Sequence, residues 1–202
     1  ISKDANLDYS AGLFDEDYNL IATGSCYTNT LRCLAVDSKY QGEGYLNKIV
    51  THLVDYQFVR GNSHLFIYTK TGTRQFFEGL GFYEIAEVDK KLSFMENRKN
   101  GFSTYLGMLG KSRKEGLSSA LIMNCNPFTL GHRYLVEQAS FNSEFVHLLV
   151  VSEDASLFPF EDRLNLVKAG CSHFENIIFH ETGSYMISNA VFPSYFLKDG
   201  DE

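Results

Sequence analysis

Three apolar runs in the second half of the chain restrict its fold more than any other feature. Ser119–Asn124 (SALIMN), Phe145–Ser152 (FVHLLVVS) and Asn176–His180 (NIIFH) have strand length and are evenly apolar, as buried parallel strands are. Between them, His132–Ala139 sets Tyr134, Leu135 and Gln138 at helical spacing, and Pro159–Ala169 also reads as a helix. Strand, helix, strand, helix, strand predicts a parallel α/β layer whose ligands sit at the carboxyl ends of the strands.

The loop after the first of these strands is Asn124-Cys125-Asn126-Pro127-Phe128-Thr129-Leu130-Gly131-His132. It runs into a helix start, where backbone N–H groups lack partners and the helix dipole favours an anion. Gly131 lets the backbone come close to a phosphate, and Pro127 pre-sets the turn. Thr129 and His132 put a hydroxyl and an imidazole on the first helical turn. Such a pair can bind phosphate and stabilise charge as an α-phosphoryl group is attacked.

The first half mixes strands with one strong helix. Tyr18–Thr23 and Leu31–Val36 read as strands, and Leu46, Ile49, Val50, Leu53, Val54 and Phe58 make Tyr45–Arg60 an amphipathic helix. His64–Thr69 is a further strand, Arg74–Leu80 a short helix ended by Gly81, and Phe82–Ile85 opens another strand. Gln41-Gly42-Glu43-Gly44 again lies between a strand and a helix, where backbone N–H groups could cradle a pyrophosphate. Gly110–Gly116 (GKSRKEG) is the most basic stretch and reads as a linker, predicting units at 1–109 and 110–202.

A net charge of −7 excludes broad electrostatic binding to nucleic acid. The four cysteines form no C-x-x-C pair, which fits reduced core residues rather than a metal or disulfide framework. No apolar run is long enough to cross a membrane, and the start of the chain has no signal-peptide core, so a cytoplasmic protein is expected. The chain opens on Ile1 rather than Met and is expected to be part of a longer protein.

Thr129-Leu130-Gly131-His132 resembles the T/H-x-G-H signature of the nucleotidyltransferase superfamily. The longer string from Asn126 to Ala139 resembles the citrate lyase ligases more narrowly. So do Val151–Arg163, Gly183–Ser188 and Phe192–Lys198. In the first half, Gln41 and Gly44 match the Q/R-x-x-G-x-G/A pyrophosphate loop of GCN5-related acetyltransferases, while Leu46 departs from its last small residue. Gln75–Phe82 resembles the F-Y-x-x-L-G-F segment of that same fold.

These resemblances imply an α+β acetyltransferase-like domain followed by a Rossmann-like nucleotidyltransferase domain, incomplete at its C-terminal end. They imply a ligase that converts ATP and acetate to acetyl-AMP with Mg²⁺. The acetyl group would pass to the thiol prosthetic group of citrate lyase, a dephospho-coenzyme A derivative, releasing AMP and diphosphate. Thr129 and His132 would act in catalysis. Asn124, Asn126, Pro127, Phe128, Gly131, Arg163 and Ser188 would bind nucleotide, with Lys198 a weaker candidate. Gln41, Gly42 and Gly44 would hold the coenzyme A-like arm. The superfamily's I-S-x-S/T-x-x-R motif begins at Ile187 but finds no arginine here, and the resemblance places that motif beyond residue 202. Two other readings stay open: an adenylyltransferase acting on a phosphorylated acceptor, and a non-catalytic coenzyme A-binding module.

Overall fold

The computed structural model describes residues 7–88, 91–152 and 157–186. These form a mixed α/β structure in two compact units, the first reaching Gly101 and the second beginning at Phe102. Among the described residues no helix is long and apolar enough to cross a membrane.

The first unit is a six-stranded sheet in the order β1-β2-β3-β4-β6-β5. Its strands are β1 (Tyr9–Phe14), β2 (Leu20–Tyr27), β3 (Thr30–Val36), β4 (Phe66–Lys70), β5 (Tyr83–Val88) and β6 (Leu92–Glu96). Helices α1 (Tyr45–Val59) and α2 (Arg74–Glu78) complete it. β3 and β4 are the parallel neighbours, as the intervening crossover helix requires. The apolar stripe of α1 buries Ile49, Val50 and Leu53 against Leu31, Ile67, Phe77, Phe82 and Met95. On the same helix Gln57 is buried and donates from Nε2 to the Thr28 carbonyl at 2.6 Å, tying α1 to the β2–β3 turn.

Pairing of β3 with β4 covers only Thr30↔Phe66 and Leu31↔Ile67. Beyond that point β3 is disturbed: Cys33 takes φ +53°, and its register against β2 slips between Thr23 and Ser25. A bulge of this kind bends its strand away from a neighbour. The two strands therefore part, and the gap opens at the end of β3 from which the Gln41–Gly44 loop departs.

The second unit holds β7 (Ser118–Met123), β8 (Phe145–Val150) and β9 (Ile177–Glu181), all parallel and in that order. Helices α3 (Gly101–Lys111), α4 (Leu130–Asn142) and α5 (Phe160–Gly170) accompany them. Met123, Leu148 and Val150 pack with Val136 of α4 and Leu164 and Val167 of α5 into a separate core.

Several elements differ from expectation. The sequence gives no sign of β1, β6 or α3, and α3 runs to Lys111, so the non-helical part of the basic stretch begins at Ser112. β7 is not buried throughout: Ser118, Ala120 and Ile122 are exposed while Met123 is buried. Its apolar run thus serves one face among the described residues.

Gly24 of β2 lies where α1 crosses the sheet. A Cβ there would sit 2.7 Å from Leu53 Cδ1 and 2.9 Å from Leu34 Cδ2. Gly24→Val is expected to destabilise the protein by about 1–3 kcal/mol through overpacking, read as a lowered urea midpoint.

Candidate functional site

The strand ends of the second unit are joined by one arginine. Arg163, in the first turn of α5, is completely buried. Its Nη1 donates to the Asn124 carbonyl at 2.6 Å, to Asn124 Oδ1 at 2.9 Å and to the Val151 carbonyl at 2.8 Å. Its Nε donates to the Phe158 carbonyl at 3.0 Å, and the guanidinium lies 5.6 Å from the centre of the Phe160 ring. A buried cation needs this degree of satisfaction to be tolerated. In this structure Arg163 binds backbone oxygens beneath the loop and fixes where the loop starts.

Asn124 and Asn126 also bond within the protein. Asn124 accepts from Arg163, and Asn126 Oδ1 accepts from the Phe158 backbone N–H at 3.1 Å. Cys125 between them is buried with φ +53°, a conformation that turns the chain sharply out of β7. The Asn126–Pro127 peptide is cis. Burial raises the thiol pKa of Cys125 to about 11, which makes it an inert core group rather than a nucleophile.

Past this turn the chain reaches Thr129, the N-cap of α4. The Thr129 backbone N–H donates to His132 Nδ1 at 3.1 Å, and Thr129 Oγ1 lies 2.8 Å from the same nitrogen. This is a capping box with histidine in the place of the usual Glu or Gln. Because Nδ1 accepts from the backbone, the neutral ring carries its proton on Nε2. The imidazole is thereby fixed at the N-terminus of a thirteen-residue helix with a donor nitrogen to spare. A Cβ on Gly131 would meet only Thr129 Oγ1, at 3.7 Å, so internal packing does not demand glycine there.

Two residues of this region carried no recognisable motif. Thr182 is fully buried, and its Oγ1 accepts from the Ser152 backbone N–H at 2.9 Å. Ser152 Oγ accepts in turn from the Gly183 N–H at 3.0 Å, so the ends of β8 and β9 are tied together. Ser188 and Lys198 lie outside the described residues.

The first unit has its own opening. A cavity of about 890 Å³ lies between the diverging ends of β3 and β4 and the Gln41–Gly44 loop. Gly42 and Gly44 take φ +86° and +81°, which a side chain would strain, and Gly44 caps α1 without any side-chain bond. The first-turn N–H groups of α1 are thus left to the cavity side of the loop. Gln41 does not extend outward as a ligand arm: its Nε2 reaches the Val36 carbonyl at 3.4 Å. Arg32, Lys70, Cys33, Tyr68 and Phe76 line the cavity, with no carboxylate among its described lining residues. In a chain of net charge −7 that local balance favours an anionic ligand with an apolar portion.

Residues 118–202 match the family model of the citrate lyase ligase C-terminal domain. The chain is 40% identical to a citrate pro-3S-lyase ligase of Klebsiella pneumoniae over 89% of its own length and 53% of the relative's. It is 38% identical to the Escherichia coli K12 enzyme of that name, over 97% of this chain and 57% of the other. The Haemophilus influenzae counterpart is 35% identical over 97% and 59%. The chain thus spans little more than half the length of the curated relatives it matches. Among solved structures, a Bacillus cereus acetyltransferase is 17% identical, with TM-score 0.40 over 48% of this chain and 79% of that one. Escherichia coli ElaA is 12% identical, with TM-score 0.40 over 44% and 67%.

Removing the arginine beneath the loop strands several buried carbonyls. Arg163→Ala is expected to cost about 3 kcal/mol or more, and Arg163→Lys less, because lysine keeps one donor centre but loses the fork. Chemical denaturation measures the loss, and amide exchange should speed up first around residues 124–126.

Proposed function

We infer that this chain belongs to the citrate lyase ligase family and carries the nucleotide-activating centre of an ATP-dependent acid–thiol ligase. The observation that carries this reading is the His132 imidazole held through Nδ1 by Thr129 at the start of α4. In this reading a carboxylate oxygen of acetate attacks the α-phosphorus of ATP, and the bond to diphosphate breaks. The His132 Nε2–H and the free N–H groups of the α4 N-terminus donate to the α-phosphoryl oxygens, where charge builds in the transition state. Mg²⁺ would travel with the triphosphate and offset its charge. Asn124, Asn126, Cys125 and Arg163 hold the loop rather than the nucleotide.

The acetyl-AMP so formed is an acyl donor. A thiolate adds to its carbonyl carbon, and AMP leaves with the electron pair of the broken C–O bond. The partner that presents this thiol is citrate lyase, through the dephospho-coenzyme A-type arm of its acyl carrier subunit. We assign residues 1–109 to an acetyltransferase-like domain that holds this arm and 110–202 to the nucleotidyltransferase-like domain. The Gly42–Gly44 loop would take the arm's pyrophosphate. Arg32 and Lys70 supply positive charge, and the aromatic walls take the apolar pantetheine portion. The described lining residues include no carboxylate to deprotonate an amine, which favours a holder over an acetyltransferase.

Two measurements test the reading. Exchange of labelled diphosphate into ATP should depend on acetate, and His132→Ala should lower it by about 100-fold or more, as for loss of an oxyanion donor. Exchange independent of acetate would favour an adenylyltransferase. Cys33 lines the cavity whereas Cys26 is buried with its thiol pKa raised to about 11. Maleimide should therefore label Cys33 ahead of Cys26, and dephospho-coenzyme A should slow that labelling while acetate should not.

A further inference from the structure

Helix α5 touches the catalytic-loop candidate at two points. Arg163, in its first turn, holds Asn124 where the loop begins. Gly170, its last residue, lies against the ring of Phe128 where the loop ends. Residues seven apart on a helix share a face, so a single face of α5 grips both ends of the segment. The contact at Gly170 is tight: a Cβ there would lie 2.5 Å from Phe128 Cε1 and 2.9 Å from Cδ1. Phe128 in turn stacks on His132, with ring centres 5.9 Å apart and planes inclined by 21°.

We propose that Gly170 is a positioning residue, forming a slot that seats Phe128 and thereby sets the His132 imidazole in register with its Thr129 partner. The inference rests on the reading of His132 as the group that contacts the α-phosphate. Phe128 is then not a nucleotide ligand but the packing element between α5 and the imidazole. Gly170 is well suited to test this. It is helical, so alanine favours the helix itself, and the methyl group's conflict is with Phe128.

Three variants of the full chain carry the test: Gly170→Ala, Phe128→Leu and the two combined. The tautomer of His132 is read by long-range ¹H–¹⁵N correlation without substrates, and acetate-dependent exchange of diphosphate with ATP is read separately. Gly170→Ala is expected to lose the Nε2–H bias of His132 and to lower kcat for exchange by about 10-fold or more, with KM for ATP little changed, as a small misplacement would. The smaller leucine at 128 should make room for the methyl, so the double variant should recover both the tautomer bias and most of the rate. A wild-type tautomer in Gly170→Ala, or a double variant no better than the single one, overturns the proposal. If the tautomer responds as stated but the wild-type chain catalyses no exchange, the positioning inference stands and the assignment of the reaction falls.

Discussion

The second unit is organised around a buried cation bonded to backbone oxygens. Arg163 donates from Nε and Nη1 to the carbonyls of Asn124, Val151 and Phe158 and to the Asn124 amide oxygen. Carbonyls beyond the last ladder pair of a strand have no cross-strand partner and are otherwise met by water. Gathering them onto one guanidinium exchanges that water for a rigid fork, and it does so at the edge of the sheet where a parallel fold presents its ligands. The loop leaves β7 from a fixed point because that fork is fixed. Ser152 and Thr182 extend the arrangement to β9.

This explains why the loop was legible in sequence while the jobs of its members were not. Thr129, Gly131 and His132 follow from chemistry and spacing, since a helix N-terminus needs a cap and an anion site needs donors. Asn124, Asn126 and Arg163 have the composition of phosphate ligands, and nothing in their spacing shows which way they turn. The structure adds what they bond within the protein: Arg163 the carbonyls of Asn124, Val151 and Phe158, and Asn126 the Phe158 N–H. Gly170 could not be singled out either, because its constraint comes from Phe128, forty-two positions earlier in the chain. Helical glycine in an amphipathic stretch carries no local signal of such a contact.

The fold shows the same division. α1, β8 and β9 were legible because an apolar stripe or a short apolar run has one economical solution. β1 was missed because YSAGLF alternates exposure with small residues rather than strong hydrophobes, and its pairing with β2 supplies the missing preference. α3 was missed because two of its glycines, Gly107 and Gly110, read as breakers; Tyr105 anchors the helix by burial and by donating to the Glu181 carbonyl. The gap between β3 and β4 depends on Cys33 adopting φ +53° opposite Gly24, a tertiary accommodation with no sequence signature.

The two loops also differ in the means by which they leave N–H groups open, and that difference bears on which can do chemistry. The loop before α1 relies on glycines at positive φ and has no side-chain cap, so it offers backbone donors alone. Backbone donors can hold a pyrophosphate, but they cannot exchange a proton or present a titrating group. The loop before α4 relies on side chains instead: Thr129 caps the helix, and the His132 imidazole completes the capping box through Nδ1, leaving Nε2 outside it. A donor of that kind, oriented before the ligand arrives, can strengthen its bond as charge grows on a phosphoryl oxygen. On the proposed reading, attack at phosphorus belongs at α4. The α1 loop is suited to holding a phosphorylated arm whose reactive end lies elsewhere.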